Sequence, residues 1–285
     1  MLHAALVLEG GSMRGLFTCG VLDVLMENDM WFEYVNGVSA GTLNAYSYIS
    51  RQIGRSSQIP FEYARDKRYA GVRNLIFHGG IFNFDFMFGE ITDTLVPLDK
   101  ETFDASGQIF ECVATQLESG QAAFFRKGAC SKAEFELASR ASASMPLLSK
   151  KIEIGGKHYL DGGVALPIAH RRAMELGYNK PVLVLTRQQG YRKPPESAKF
   201  AKLCDRAFAA YPEFLRTLHR VPDHYNEIQE ELDALEAKGK VFIIRPEEPV
   251  AVGRLEKDVE KLRALYRCGR MVAEKRLEEL KQYLG

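Results

Sequence analysis

The chain has 285 residues, of which 46% are hydrophobic and 26% are charged, and its formal net charge is +1. This length suffices to bury a full core, and the balanced charge gives no general attraction to nucleic acid or to an anionic membrane. Five scattered cysteines without CxxC spacing predict neither a zinc site nor a disulfide framework, and neither a signal peptide nor a membrane span is predicted, so we expect a cytoplasmic protein with reduced thiols.

The opening of the chain predicts alternating strands and helices. Ala4 to Leu8 is a short apolar run that predicts a buried strand, and the glycine-rich loop Gly10 to Gly15 follows it. Apolar residues at helical spacing then predict a helix over Leu16 to Met30. A second strand, Tyr34 to Val38, leads to a second helix, Ala40 to Ile53. This order is typical of a parallel α/β sheet.

The middle of the chain predicts two antiparallel hairpins separated by a helix. Ile109 to Gln116 and Ala122 to Arg126 flank the turn of the first hairpin. Lys151 to Ile154 and Lys157 to Leu160 flank a pair of glycines in the second. Between the hairpins, Ser131 to Ser142 begins with a capping box and predicts the helix.

The last third predicts two more buried strands among helices. Pro167 to Leu176 is a predicted helix, and Val182 to Thr186 is an apolar strand. After residue 190 the composition favours long helices, with one apolar strand, Val241 to Ile244. The final helix is predicted over Leu255 to Leu284, where apolar residues recur with a period of about 3.6.

A G-x-S-x-G pentapeptide, Gly37 to Gly41, lies between the second predicted strand and its helix. A serine at such a sharp turn has a strained backbone, and Gly37 and Gly41 remove side chains that would clash there. The helix that begins at Ala40 also directs its positive dipole end toward the turn. Such pentapeptides occur by chance in plain turns, but the position between strand and helix favours Ser39 as a nucleophile.

The loop Glu9 to Gly15, with the sequence EGGSMRG, also lies between a strand and a helix. A glycine-rich loop in this place can direct several backbone N–H groups at one oxygen atom, as an oxyanion hole requires. A dinucleotide-binding loop needs glycine where Ser12 stands, and a phosphate-binding P-loop needs a Gly-Lys-Ser/Thr sequence. A purely structural turn is the remaining alternative.

A nucleophilic serine needs a general base, and the sequence offers two kinds of candidate. Asp161 begins the sequence D-G-G after the second hairpin. His219 or His224 would instead complete a Ser–His–Asp triad with Ser39 and Asp161. The α/β-hydrolases that use this triad place several strands before the nucleophile, whereas only one is predicted here.

Four motifs stand in a specific order: EGGSMRG, GVSAG, ASASMP at Ala141 to Pro146, and D-G-G. In this order, across roughly Leu6 to Pro167, the chain resembles the patatin-like phospholipase family. The resemblance implies a three-layer α/β/α fold with a mostly parallel central sheet. It also implies a Ser–Asp dyad without histidine, formed by Ser39 and Asp161. We expect residues 1–190 to form the acyl hydrolase domain and residues 191–285 a mainly helical C-terminal extension packed on it.

The same resemblance assigns the oxyanion hole to Gly10, Gly11 and Ser12, with Arg14 beside them. The family usually has a third glycine where this chain has Ser12. A positive φ at that position would cost serine about 1 kcal/mol, although its N–H donor would remain. Ser12 as the nucleophile is the alternative, but it lacks the turn from strand to helix.

The function implied by the resemblance is hydrolysis of lipid acyl esters through an acyl-enzyme, with a phospholipid, a lysophospholipid or a simple fatty ester as substrate. No metal and no organic cofactor are expected, and no nucleic acid partner. A cytoplasmic protein with peripheral membrane contact would suit these substrates, and nothing in the sequence bears on oligomeric state. The aromatic stretch Ile81 to Phe88 is predicted either to line an acyl groove or to lie in the core. A catalytically weak scaffold that binds lipid or protein is the non-enzymatic alternative.

Overall fold

A computed structural model describes residues 1–285 and contains a central eight-stranded sheet. The strands are β1 (Leu2–Leu8), β2 (Phe32–Val38), β3 (Ile109–Gln116), β4 (Ala122–Arg126), β5 (Ile152–Ile154), β6 (Lys157–Asp161), β7 (Val182–Val184) and β8 (Phe242–Ile244). Strands β3, β2, β1, β7 and β8 are neighbours in this order and run parallel. Strands β4, β5 and β6 add antiparallel pairings at the β3 end.

Twelve α-helices surround the sheet. They are α1 (Gly15–Glu27), α2 (Ala40–Ile49), α3 (Arg55–Tyr63), α4 (Val72–Phe77), α5 (Phe84–Phe86), α6 (Lys100–Ala105), α7 (Lys132–Ser142), α8 (His170–Glu175), α9 (Ala198–Ala207), α10 (Pro212–His219), α11 (Val221–Ala237) and α12 (Val259–Leu284). A short 3-10 helix, Ser12–Arg14, precedes α1, and a π-helical segment, Met87–Leu95, follows α5.

Strand β1 lies at the centre of the sheet, and both of its faces are buried. Leu6 and Leu8 point into a core shared with α1, α2, α7 and α12. Ala5 and Val7 point to the opposite face, where α8 and α11 pack. A strand covered on both faces reads as an unbroken apolar run, as this one does. The predicted three-layer α/β/α fold with a mostly parallel sheet is confirmed.

Strands β2 and β6 meet end to end along one edge of β3. Strand β2 pairs in parallel with β3 as far as Val38 opposite Val113. Strand β6 pairs antiparallel with β3 and ends with Asp161 opposite Ala114. Because β4 occupies the other edge of β3, β2 and β6 share one edge and their C-terminal ends converge. The residues that follow β2 and end β6 are thereby brought together.

Several predicted helices are shorter in the structure, for local reasons. Helices α1 and α2 end before Met30 and Ile53, and the residues Asp29 and Arg51 that follow them have positive φ values of 53° and 58°. A left-handed residue terminates a helix. Helix α12 begins at Val259, four residues later than predicted, because the Asp258 side chain caps it. Helix α8 and strands β7 and β8 are also shorter than predicted.

The C-terminal part contributes to both sheet and core. Strand β8 pairs with β7, and α12 crosses α1 in backbone contact. A β-carbon at Gly20 would collide with the Tyr266 carbonyl group, and one at Gly269 with the Phe17 carbonyl group. Only glycine therefore permits this crossing. The division at residue 190 stays a prediction.

Candidate active site

The turn from β2 to α2, the serine elbow, holds Ser39 in an unusual conformation with φ 55° and ψ −122°. A non-glycine residue in this region carries strain that the surrounding structure must enforce. A β-carbon at Gly37 would collide with the Thr42 backbone, and one at Gly41 with the carbonyl group of Leu8. Both glycines are thus required for the tight approach of β1, β2 and α2 at the elbow.

Ser39 and Asp161 form a buried pair where β2 and β6 converge. The Ser39 hydroxyl donates to Asp161 Oδ2 at 2.8 Å. The other carboxylate oxygen, Oδ1, accepts the N–H of Gly163 at 2.7 Å. The two residues are only 9% and 8% exposed. Both carboxylate oxygens are therefore bonded, and one of them is placed to accept a proton from the serine.

The Asp161 carboxyl group has an altered acidity. Burial raises its pKa to about 6, while the Gly163 N–H and the Ser39 hydroxyl act in the opposite direction. Burial dominates because the charged carboxylate loses hydration that two hydrogen bonds do not fully replace. A carboxyl group with this pKa is ionised at neutral pH and is a stronger base than an ordinary aspartate.

The ASASMP motif supplies residues that orient the pair. Ser142 Oγ accepts the Ser39 N–H at 2.9 Å and lies 3.0 Å from Thr42 Oγ1. The carbonyl oxygen of Ser144 accepts the Asp161 N–H at 2.8 Å. Sequence reasoning used this motif only for the resemblance and assigned it no role. The ASASMP motif is therefore the sequence feature from which these two positioning residues could have been predicted.

The loop after β1 lies against the serine. A β-carbon at Gly10 would lie 2.8 Å from the Ser39 β-carbon, and one at Gly11 would lie 2.8 Å from Thr186 Oγ1. The backbone N–H groups of Gly10, Gly11 and Ser12 donate to no protein atom. Three free donors thus belong to a loop packed directly on the nucleophile candidate.

Ser12 adopts the positive φ that glycine would favour, with a value of 53°. Its hydroxyl donates to the backbone carbonyl oxygen of Arg254 at 2.6 Å and has no carboxylate partner, so its geometry gives no support to the alternative nucleophile. Arg14, in the same 3-10 turn, is half-buried, and its Nε atom has no hydrogen-bond partner. Burial, followed by the charge of Arg187, lowers the Arg14 pKa to about 10.

The histidines considered for a triad lie elsewhere. His219 is held between Glu196 at 2.6 Å and Asp205 at 2.9 Å. The hydrogen bond to Glu196 is the main reason that its pKa is raised. His224 lies 3.6 Å from Glu227. Neither imidazole hydrogen-bonds to the elbow serine, whose hydroxyl is bonded to the aspartate instead.

A largely apolar cavity opens beside Ser39. Its wall includes residues of the elbow, of α1 to α3, of the aromatic stretch and of two further loops: Ser39, Leu16, Leu43, Ile59, Pro60, Phe82, Phe84, Met87, Tyr69 and Met145. The two interpretations of the aromatic stretch both hold in part, because Phe82, Phe84 and Met87 line the cavity whereas Ile81 and Phe86 are buried in the protein.

Where the cavity reaches Ser39, the structure combines a hydroxyl, a buried carboxylate bonded to it and the free backbone amides of the adjacent loop. They are suited to nucleophilic attack, proton transfer and stabilisation of an oxyanion. No three histidine, cysteine, aspartate or glutamate side chains of the chain are grouped as metal ligands.

Comparison with known proteins gives the class. The profile of a family described as patatin-like phospholipase matches residues 6–172, more than half of the chain, and the chain therefore belongs to that family. The resemblance stated from the motifs is confirmed. A second profile, described as a domain of unknown function (DUF6363), matches residues 211–285.

Two individual proteins are similar to this chain. The uncharacterized protein YjjU of Escherichia coli K12 is 27% identical over 278 residues, which cover 94% of this chain and 75% of that protein. The crystal structure of VipD from Legionella pneumophila aligns with 98% of this chain and 67% of its own, with a TM-score of 0.50 and 11% identity. The second similarity concerns the fold alone.

Proposed function

We propose that this protein is a serine acyl hydrolase that cleaves lipid acyl esters, with Ser39 as nucleophile and Asp161 as general base. The observation that carries the proposal is the 2.8 Å hydrogen bond from the serine hydroxyl to the buried carboxylate. It occurs at a strained turn between strand and helix, beside an apolar cavity. Membership of the patatin-like phospholipase family supports the same reaction class.

The reaction proceeds in two steps. Ser39 Oγ attacks the ester carbonyl carbon while Asp161 Oδ2 accepts the hydroxyl proton, and the negative charge on the carbonyl oxygen is stabilised by the free N–H groups of Gly10, Gly11 and Ser12. The intermediate collapses, the alcohol takes the proton and leaves, and an acyl-enzyme remains. Water then attacks the acyl carbon with Asp161 again as base, which releases the fatty acid and restores the serine.

Burial makes the aspartate a usable base. A general base works best when its pKa is near the operating pH, and an ordinary aspartate at about 3.9 is too acidic. The raised pKa of Asp161, about 6, lies closer to neutral pH than that of an ordinary aspartate and still leaves the group ionised at pH 7. No cofactor takes part in this scheme.

The apolar cavity is the acyl-chain site of the proposal. Its apolar lining suits a fatty acyl chain, which binds by leaving water for an apolar surface. Phospholipids, lysophospholipids and simple fatty esters all supply such a chain, in the cytoplasmic setting expected from the sequence.

The decisive experiment measures hydrolysis of a short-chain p-nitrophenyl ester. Ser39→Ala should lower kcat by at least about a thousand-fold, because it removes the nucleophile while the small side chain keeps the fold. Ser119→Ala, the same chemical change in the turn between β3 and β4, is the matched control and should keep the wild-type rate. A thermal melt of each variant verifies folding.

Two results would contradict the assignment. One is substantial residual activity in folded Ser39→Ala protein, and the other is a fluorophosphonate adduct on a different serine. A wild-type chain that hydrolyses no ester would instead favour the scaffold alternative.

Contact with a membrane is a further part of this proposal, and it is carried by α4. Val72, Ile76 and Phe77 are 70%, 71% and 69% exposed, although they are large and apolar. The chain just before α4 and the chain after it are joined by a β-bridge between Ala70 and Phe82. Phe82 also lines the cavity. An exposed apolar patch next to an acyl site is suited to a lipid surface.

Positive charge near the apolar patch also favours contact with an anionic membrane. Lys67 and Arg73 are exposed near the patch and form no ion pair, so they are available to anionic headgroups. No helix of the chain combines the length and the apolarity that a bilayer crossing needs. The contact we propose is therefore peripheral.

Sedimentation with vesicles that contain anionic lipid tests the contact. A triple variant, Val72→Ser, Ile76→Ser and Phe77→Ser, should lose most vesicle binding while it still hydrolyses the water-soluble ester. Met271→Ser is the matched control, since Met271 is a 63% exposed side chain on α12. Unchanged vesicle binding by the triple variant would rule out this patch.

A further inference from the structure

Arg55 is a buried cation at the start of α3, and the reaction scheme does not use it. The residue is only 6% exposed. Its Nε atom donates to the Pro97 carbonyl oxygen at 3.1 Å, and its Nη1 atom donates to Ser47 Oγ at 3.2 Å. Its Nη2 atom is 3.5 Å from Thr92 Oγ1, at the limit of a hydrogen bond. All three acceptors are neutral oxygen atoms.

The positive charge of Arg55 has no opposite charge beside it. Burial lowers its pKa to about 10, and no neighbouring carboxylate opposes this shift, yet the group stays charged at neutral pH. A buried charge is costly unless an opposite charge and hydrogen bonds replace the lost water. A guanidinium group has five N–H donors, so the three contacts leave donors free for a further acceptor.

Arg55 lines a second, smaller cavity that lies against the acyl cavity. The two cavities share three lining residues, which are Leu43, Ile59 and Met87. Arg55 is the only charged residue in the lining of the second cavity, and most of the others are apolar. The second cavity therefore combines an apolar wall with one buried cation.

The π-helical segment Met87–Leu95 forms another part of this wall and supplies Met87, Phe88 and Thr92. Thr92 Oγ1 donates to the Met87 carbonyl oxygen at 2.7 Å across the widened turn. π-Helical turns are rare and frequently occur at functional sites. The unusual helix is thus an observation, separate from the buried cation, that favours a ligand in this cavity.

Helix α2 connects the serine elbow with the arginine. Leu43, one turn after Ser39, lines both cavities, and Ser47, two turns after Ser39, accepts the hydrogen bond from Arg55. The step from residue 39 to residue 47 corresponds to about 12 Å along the helix axis, at about 1.5 Å per residue. An extended chain of about ten carbons covers this distance, since each carbon–carbon bond adds about 1.3 Å.

We propose that the second cavity continues the acyl cavity and that Arg55 binds a carboxylate group at the far end of the acyl chain. The proposal rests on the proposed function and narrows its substrate class to esters whose acyl part ends in a carboxylate. A guanidinium group binds a carboxylate through paired charge-assisted hydrogen bonds. A plain fatty acyl chain of the same length would bring a methyl group to the buried charge, which does not replace the lost water.

The test compares pairs of p-nitrophenyl esters that differ only at the far end of the acyl chain. One pair is the decanoate ester and the mono-ester of decanedioate, and the other is the hexanoate ester and the mono-ester of hexanedioate. The carboxylate preference of each pair is the kcat/KM of the mono-ester divided by that of the plain ester. At pH 8, below micelle-forming concentrations, the wild-type preference should be at least about tenfold higher for the ten-carbon pair. The six-carbon chain is too short to reach the arginine.

Arg55→Met should abolish this difference between the two pairs, because the apolar side chain cannot bind a carboxylate. The ten-carbon preference should fall by about 10- to 100-fold, whereas hydrolysis of the plain decanoate ester should be retained or rise. A purely structural arginine would instead affect both ten-carbon esters equally. If thermal melts show that Arg55→Met is unfolded, Arg55→Gln replaces it, since glutamine loses the charge but keeps a donor for the neutral acceptors.

Arg51→Met is the matched control. It makes the same chemical change at an exposed arginine just after α2, and it should leave the carboxylate preference of both pairs unchanged.

Inhibition distinguishes the end of an acyl chain from a free fatty acid as the source of the carboxylate. Decanoate that inhibits hydrolysis of p-nitrophenyl butyrate in the wild-type protein but not in Arg55→Met, without any carboxylate preference between the ester pairs, would indicate a free-acid site and overturn the proposal. Equal preferences for the two pairs in the wild-type protein would also overturn it, as would a ten-carbon preference that survives in a folded Arg55 variant. Hydrolysis of p-nitrophenyl butyrate by the wild-type protein tests the proposed function separately, so the two failures are distinguishable.

Discussion

At the scale of single residues, the proposed role of Asp161 as general base links catalysis to pH. Only its ionised form can accept the serine proton, and its pKa is raised to about 6. We therefore expect kcat/KM to fall as the pH drops below about 6 and to level off above about 7. A pH–rate profile between pH 4 and 9 with a soluble ester measures this. A midpoint near that of an ordinary aspartate would contradict the pKa given by burial.

The same shift has a consequence for stability. The folded pKa of Asp161, about 6, lies above the ordinary aspartate pKa of about 3.9, so between these two pH values the folded state retains a proton that the unfolded state has lost. Stability contributed by the protonated form is present at low pH and is lost as the pH rises through about 6. The ionised buried carboxylate thus destabilises the fold by up to about 3 kcal/mol at pH 8.

Asp161→Asn should therefore remove the proposed general base and yet stabilise the protein at pH 8. The amide oxygen can still accept the Gly163 N–H, and the amide nitrogen can donate to Ser39. We expect a gain of about 1 to 3 kcal/mol in the free energy of unfolding at pH 8 and almost none at pH 4. Urea unfolding at both pH values measures the difference. A variant destabilised equally at both would show that another interaction of the carboxylate dominates.

Sequence reasoning predicted the residues that lie in motifs and missed those that arrive through tertiary contacts. Ser39 and Asp161 were predicted because each begins or centres a glycine-flanked motif, and the structure places them in hydrogen-bonding distance. Arg254 has no local pattern. Its carbonyl group meets the Ser12 hydroxyl only because a separate segment folds over the loop, which no short window of sequence encodes.

At the scale of elements, substitutions in the 3-10 turn test whether its backbone N–H groups stabilise the oxyanion. Ser12→Gly relieves the positive φ, worth about 1 kcal/mol, but loses the hydroxyl bond to Arg254, worth about the same. We expect nearly unchanged stability and retained hydrolysis of a soluble ester, because glycine keeps the N–H group. Ser12→Pro cannot adopt this φ and deletes the donor, so it should lose about 100- to 1000-fold in rate.

Kinetics on both variants, beside thermal melts, supply the measurement. A folded Ser12→Pro protein at near wild-type rate would mean that this N–H is not catalytic. A folded Ser12→Gly protein that loses most activity would mean that the hydroxyl contact with Arg254 is needed for the chemistry.

The elements best predicted from sequence are those with a strong pattern of their own. Strand β1, strand β2 and the two hairpins were recognised by apolar runs and glycine turns. Helices α3 to α6 and the π-helical segment were not predicted, because they are short and their aromatic residues follow no single period. Tertiary packing decides the structure of such segments.

At the scale of the whole molecule, motif order predicted the layers but not the meeting of β2 and β6. The strand–helix alternation implies a parallel sheet wherever it occurs. The edge of β3 that β6 joins is decided by pairing between residues about fifty positions apart, such as Ala114 and Asp161. Such register is set by the assembled core and the neighbouring strands.

The order of the strands also governs how the chain can fold during synthesis. The central strand β1 is synthesised well before its partner β7, at residues 182–184, and before the α12 helix that covers α1, which begins at Val259. Until then an apolar strand edge and an apolar helix face stay uncovered on the nascent chain. Native contacts so distant in sequence slow folding, so the apolar surfaces stay exposed for longer and can aggregate. We therefore expect translation speed and chaperone supply to govern how much active protein a cell obtains from this sequence.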